Sequence, residues 1–67
     1  MKYEVGDLFA VPQGANSKYK EVYVVITDII PDDYSPELWC YDVFNLTENR
    51  EGTYSSHFFH ERATKVG

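Results

Sequence analysis

Glu21–Ile30 reads E-V-Y-V-V-I-T-D-I-I, and eight of its ten positions are β-branched or aromatic. Such side chains lose rotamer freedom in a helix and pack well on a pleated surface. Apolar groups fall on both parities of the run. It is therefore expected either to be covered on both faces or to lie in a tightly curved sheet. Breakers bracket it, with Pro12 and Gly14 before and Pro31-Asp32-Asp33 after. The pattern predicts a central strand that the rest of the chain covers. Asp28, the one charge in its apolar end, marks a bulge or the point where the strand leaves the core.

The flanking segments are also strand-like. Val5-Gly6-Asp7-Leu8-Phe9-Ala10-Val11 predicts a first strand that Pro12 ends, because proline donates no ladder hydrogen bond. Residues 13–20 form a polar loop longer than a tight hairpin. Pro31-Asp32-Asp33-Tyr34-Ser35-Pro36-Glu37 is a second loop, stiffened by its two prolines. Leu38–Leu46 predicts a third strand. If Asp42 faces water, Cys40 and Phe44 share its face, while Trp39, Tyr41 and Val43 point to the core.

Thr47–Gly52 is rich in turn formers, and Thr53-Tyr54-Ser55 begins a fourth strand. Ser55 or Ser56 can then cap a helical turn over His57–Arg62. One of Phe58 and Phe59 would plug the core, and Thr64-Lys65-Val66 suffices for a last short strand.

The 67 residues allow one domain, spanning 1–67. A chain this short buries only about 60% of the surface its unfolded form exposes. Reinforcement by disulfides is excluded within the chain, because Cys40 is its single cysteine. Aromatic residues, 16% of the chain, are the available compensation. The opening Met1-Lys2-Tyr3-Glu4 lacks the apolar stretch of a secretory leader. No apolar run approaches the ~18 residues that span a bilayer. A soluble, cytoplasmic protein without a membrane role is expected.

Charge separates along the sequence. The net charge is −5, yet residues 21–49 hold seven acids and neither Lys nor Arg. The remainder holds four acids against six bases, leaving +2. That distribution argues against general binding to a phosphate backbone, which needs clustered Lys and Arg. It suits a partner protein with a basic surface. Asp28, Asp32, Asp33, Glu37 and Asp42 would form the acidic face, with Tyr34, Trp39 and Phe44 as aromatic anchors. A single strand of nucleic acid stacked on Tyr or Trp beside Lys18 and Lys20 is the alternative. Another is acidic mimicry of nucleic acid that blocks a nucleic-acid-binding protein.

Catalytic and metal chemistry find little support. His57 and His60 lie three apart on a helical turn, and with Cys40 or Glu61 they could approach a zinc site. Two histidines and one cysteine fall short of a structural zinc set, so no metal or other cofactor is expected. Cys40 with a histidine could make a nucleophile. However, so short a chain has little room for a substrate pocket of ~300 Å³. A non-enzymatic protein is expected.

The element order, carried by Val5-Gly6-Asp7-Leu8-Phe9, Glu21–Ile30, Leu38–Leu46 and Ser56–Val66, resembles small SH3-like barrels of the Tudor-like and KOW-like kind. The resemblance implies an all-β, five-stranded SH3-like barrel with one short helical turn before the last strand. It also implies binding of peptides, methylated side chains or nucleic acid through aromatic residues. Tyr19, Tyr23, Tyr34, Trp39 and Tyr41 are available for that. The loop over 13–20 carries no acid, unlike that of proline-binding SH3 domains, and the basic surface of KOW-like RNA binders is mostly missing. The compact aromatic composition resembles that of small accessory proteins of tailed bacteriophages, which implies an adaptor or inhibitor docking on a host protein in the host cytoplasm. An unpaired sheet edge would also permit homo-oligomers.

Overall fold

In a computed structural model, which describes residues 3–35 and 38–66, the chain forms one five-stranded antiparallel sheet and one short helix. The elements are β1 (Leu8–Pro12), β2 (Glu21–Ile30), β3 (Cys40–Asn45), β4 (Arg50–Ser55), α1 (Ser56–Arg62) and β5 (Thr64–Lys65). Spatial order is β4-β3-β2-β1-β5, so the sheet is open and ends on β4 and β5. The all-β class, the five strands and the helix before the last strand are those expected from the sequence.

β2 holds the centre of the order, pairing along all of β1 on one side and all of β3 on the other. Phe9, Val11, Val22, Val24, Ile26, Tyr41, Val43 and Phe59 are almost wholly buried and form one core on a single face of the sheet. The sheet changes register between Ile26 and Asp28, which leaves Thr27 as the extra residue of a bulge. Ile26 lies opposite Val43, whereas Ile29 lies opposite Tyr41. The bulge thus turns Asp28 out to solvent and brings Ile29 against the core. A regular strand would have pointed Asp28 inward, two residues after Ile26.

The other face of β2 is uncovered among the described residues. Val25 is half-buried, and Tyr23 and Thr27 are exposed. The bulge, which moves the core-facing parity from Ile26 to Ile29, accounts for part of the apolar pattern, and the rest is left half-buried at Val25 or exposed at Tyr23.

α1 closes the core. Ser55 caps it by accepting a hydrogen bond from the Phe58 amide at 3.3 Å. Phe59 is then the residue that fills the centre. Its ring meets those of Phe9 at 4.7 Å, Tyr41 at 5.4 Å, Tyr54 at 5.6 Å and Tyr3 at 5.8 Å between centroids. The pairs with Phe9, Tyr41 and Tyr3 are edge-to-face, an arrangement that contributes beyond area burial. Phe58 instead stacks on Tyr54 at 5.4 Å.

Four expectations need correction. β1 runs Leu8–Pro12, so it starts three residues later than Val5 and includes Pro12. β3 starts at Cys40, not Leu38, so Trp39 lies before the strand and outside the core cluster. Its indole N–H needs a partner and donates to the Asp32 carbonyl at 3.3 Å. β4 starts at Arg50, three residues before Thr53, so the turn contracts to Leu46–Asn49. Asn45 holds that turn, with its Oδ1 accepting the Glu48 amide at 2.8 Å and its Nδ2 donating to Glu48 Oε1 at 2.9 Å. Asn49 supplies the left-handed residue, φ 57°. The helix runs seven residues, about two turns instead of one.

Candidate protein-docking face

Asp28, Asp32, Asp33 and Asp42, four of the acids singled out by the sequence, lie on the adjoining parts of β2 and β3 and in the loop after β2. Asp28 and Asp42 are directly opposed across the two strands, and the next outward-facing pair is Ile30 opposite Cys40. Asp28 Oδ1 accepts its neighbour's amide, that of Ile29, at 2.9 Å. Asp42 Oδ1 accepts the Thr53 hydroxyl at 2.9 Å. No described base pairs with either carboxylate.

Beyond Ile30 the loop takes its shape from aspartate and tryptophan. Asp32 Oδ1 accepts the Tyr34 amide at 2.7 Å, an Asx-type turn. With the Asp32 carbonyl bonded to Trp39, the base of the loop is tied across to the start of β3. The consequence is that Tyr34 projects into water, 92% exposed, with Leu38 58% and Ile30 46% exposed nearby in the chain. Asp33 is exposed beside Tyr34. Apolar side chains exposed to this degree cost solvation free energy, and acids flank them on the sequence and the sheet.

Not every anticipated residue joins this group. Phe44 is on the outer face, as its parity implies, but it is opposite Val25 on one side and Glu51 on the other, two residues further along β3 than Asp42. Trp39 is half-buried and structural. Glu37 lies outside the described residues. Thr27, Glu51 and Thr53 border the Asp42 carboxylate on a shallow cleft of about 270 Å³ and were not foreseen. Only the true start of β4 places Glu51 on that face.

The histidines do not meet Cys40. His57 lies 3.4 Å from Glu61 on the exposed side of α1, and His60 Nε2 lies 2.8 Å from the Tyr41 hydroxyl. Cys40 opens β3, its thiol 3.9 Å from the Leu38 carbonyl. Among the described residues, no group of three or more His, Cys, Asp or Glu is placed to hold a metal ion. None of the described helices is long and apolar enough to cross a membrane.

Three tyrosines are shifted. Burial raises Tyr3 above its ordinary 10.0. Burial, then the Tyr3 hydroxyl, raises Tyr41. Tyr23 is raised because its hydroxyl donates to the Glu21 carboxylate at 3.2 Å, whose charge adds to the effect. None of the three belongs to the acidic group.

Compared with known proteins, the chain matches no family model, no curated protein and no solved structure.

Proposed function

We propose that this domain is a non-enzymatic protein-interaction module that docks on a basic protein surface through the β2–β3 loop and the strand ends beneath it. One observation carries the reading. Ile30, Tyr34 and Leu38 are each exposed in or beside a loop whose base is held by Asp32 and Trp39. A tyrosine presented on a braced loop contributes contact area at low entropic cost. Asp28, Asp33 and Asp42 would form the charged rim that steers a basic partner. An adaptor or an inhibitor would both use such a face.

The test is site-specific crosslinking in a lysate of the source cells. With Tyr34→p-benzoylphenylalanine, a discrete crosslinked partner is expected, and Asp33→Lys should weaken its capture. Asp33→Lys leaves the Asp32–Tyr34 turn intact. The same photoreactive group at Ala15, on the loop between β1 and β2, should capture nothing discrete. Equal products from both positions, or none from Tyr34, would reject the reading.

A further inference from the structure

The two edges of the sheet differ. β5 is a two-residue edge, too short to template another chain. β4 is six residues long, R-E-G-T-Y-S, exposed throughout except at Tyr54, and no described strand lies beyond it. Its outward N–H and C=O groups face a partner or water.

Gly52 sits at the middle of this edge, opposite Val43. A side chain there would point toward Val43, so its absence leaves that face open, and a cleft borders the strand on each side. The outer one, about 270 Å³, is bordered by Thr27, Asp42, Glu51 and Thr53. The inner one, about 240 Å³, reaches from Arg50 and Tyr54 to Asn45, Glu48 and Gln13. A strand added beside β4 sends successive side chains to opposite faces, so alternate residues would enter each cleft.

Charge selects the occupant. The outer cleft holds two carboxylates, two hydroxyls and no base. In the inner cleft Arg50 and Glu48 pair at 3.4 Å, and Glu51, which also borders it, belongs by strand parity to the outer face. A second copy of this chain would bring another −5 and its own Asp42 and Glu51 to the same edge. A basic segment meets the opposite field.

We propose that β4 takes up an extended peptide segment of a partner protein as a sixth strand, with Lys or Arg in the outer cleft and small neutral residues in the inner one. This rests on the reading of the domain as an interaction module for a basic partner. It adds a second point of engagement, one that recognises backbone.

The probe is a capped heptapeptide of alternating lysine and threonine, titrated into the isotopically labelled protein and followed by amide chemical shifts and hydrogen exchange. Saturable shifts across Arg50–Ser55 and at Asp42 are expected, with Kd below about 1 mM at low salt. Outward amides of β4 should exchange at least about tenfold more slowly at saturation. N-methylating alternate peptide amides should abolish the effect on the unmodified protein. Glu51→Gln should weaken binding about threefold or more.

Several results would overturn the proposal. These are no saturable shift, shifts confined to the β2–β3 loop, undiminished binding of the methylated peptide, or equal binding of a glutamate–threonine peptide. Shifts of the same amides with protein concentration alone would assign the edge to a second copy and reject it too. The readout is residue by residue, so failure at β4 and failure of crosslinking at Tyr34 are separate results.

Discussion

Asp28 on β2 and Asp42 on β3 are direct cross-strand neighbours, two carboxylates facing each other on the outer face of the sheet. Like charges so placed destabilise a sheet. Each carboxylate is anchored by one hydrogen bond, from the Ile29 amide and the Thr53 hydroxyl, and neither bond neutralises it. Asp28→Asn should therefore raise stability by ~0.2–1 kcal/mol, read as a higher denaturant midpoint at unchanged slope. If the rim steers a basic partner, the same substitution should slow association. A less stable Asp28→Asn protein would mean the Asp28 carboxylate is worth more to the fold than the repulsion costs it.

Phe59 and Phe58 are adjacent in sequence and differ sharply in consequence. Phe59 touches four aromatic rings at the centre, whereas Phe58 stacks on Tyr54 at the margin. Phe59→Ala should cost ~3–5 kcal/mol. At ~0.05–0.15 kcal/mol per residue the whole fold is worth only ~3–10 kcal/mol, so this variant should be largely unfolded by circular dichroism at room temperature. Phe58→Ala should remain folded and lose ~0.5–1.5 kcal/mol beyond its modest area burial.

Alkaline conditions should unfold the protein through Tyr3 and Tyr41. Both phenols are raised above 10.0, chiefly by burial, which disfavours the phenolate. The unfolded chain therefore loses these protons at lower pH than the folded one. Their contribution is complete below pH 10.0 and is lost as pH rises through the folded values. Thermal melts should be flat in this respect between neutrality and pH ~9 and should fall above ~10. Tyr3→Phe should blunt the fall, and an identical slope in that variant would show that Tyr3 is not among its causes.

Ser55 is the last residue of β4 and the cap of α1, so one side chain serves the junction that places Phe59. Ser55→Ala should cost ~0.5–2 kcal/mol, and Ser55→Asp should restore most of it because the aspartate oxygen can accept the same amide. Urea titration of the three proteins checks the order, and equal destabilisation by both substitutions would remove the cap from the account.

Much of the candidate docking face was legible one residue at a time. Tyr34 at a loop tip follows from its proline-flanked, aspartate-rich context, since such loops leave side chains outside a ladder. Asp28 as a bulge marker follows from a charge in an apolar run. Trp39 was misplaced because its neighbours read as strand, while its indole N–H found a carbonyl seven residues upstream instead of the core. Glu51 was missed because residues 50–52, R-E-G, have poor strand propensity. Pairing with Phe44, Val43 and Asn45 overrides that propensity.

Elements that depend on local chemistry could be read directly from the residues. β2 spans the ten residues its β-branched run predicts, the helix starts at a serine cap, and one phenylalanine of the pair enters the core. Side-chain rotamer restriction, capping and proline geometry act within a few residues and need no partner. Only the tertiary structure decided which strands end the sheet, which residue forms the bulge and which face each carboxylate takes. Those outcomes depend on register between segments far apart in the chain. A shift of one residue there exchanges core for solvent along a whole strand.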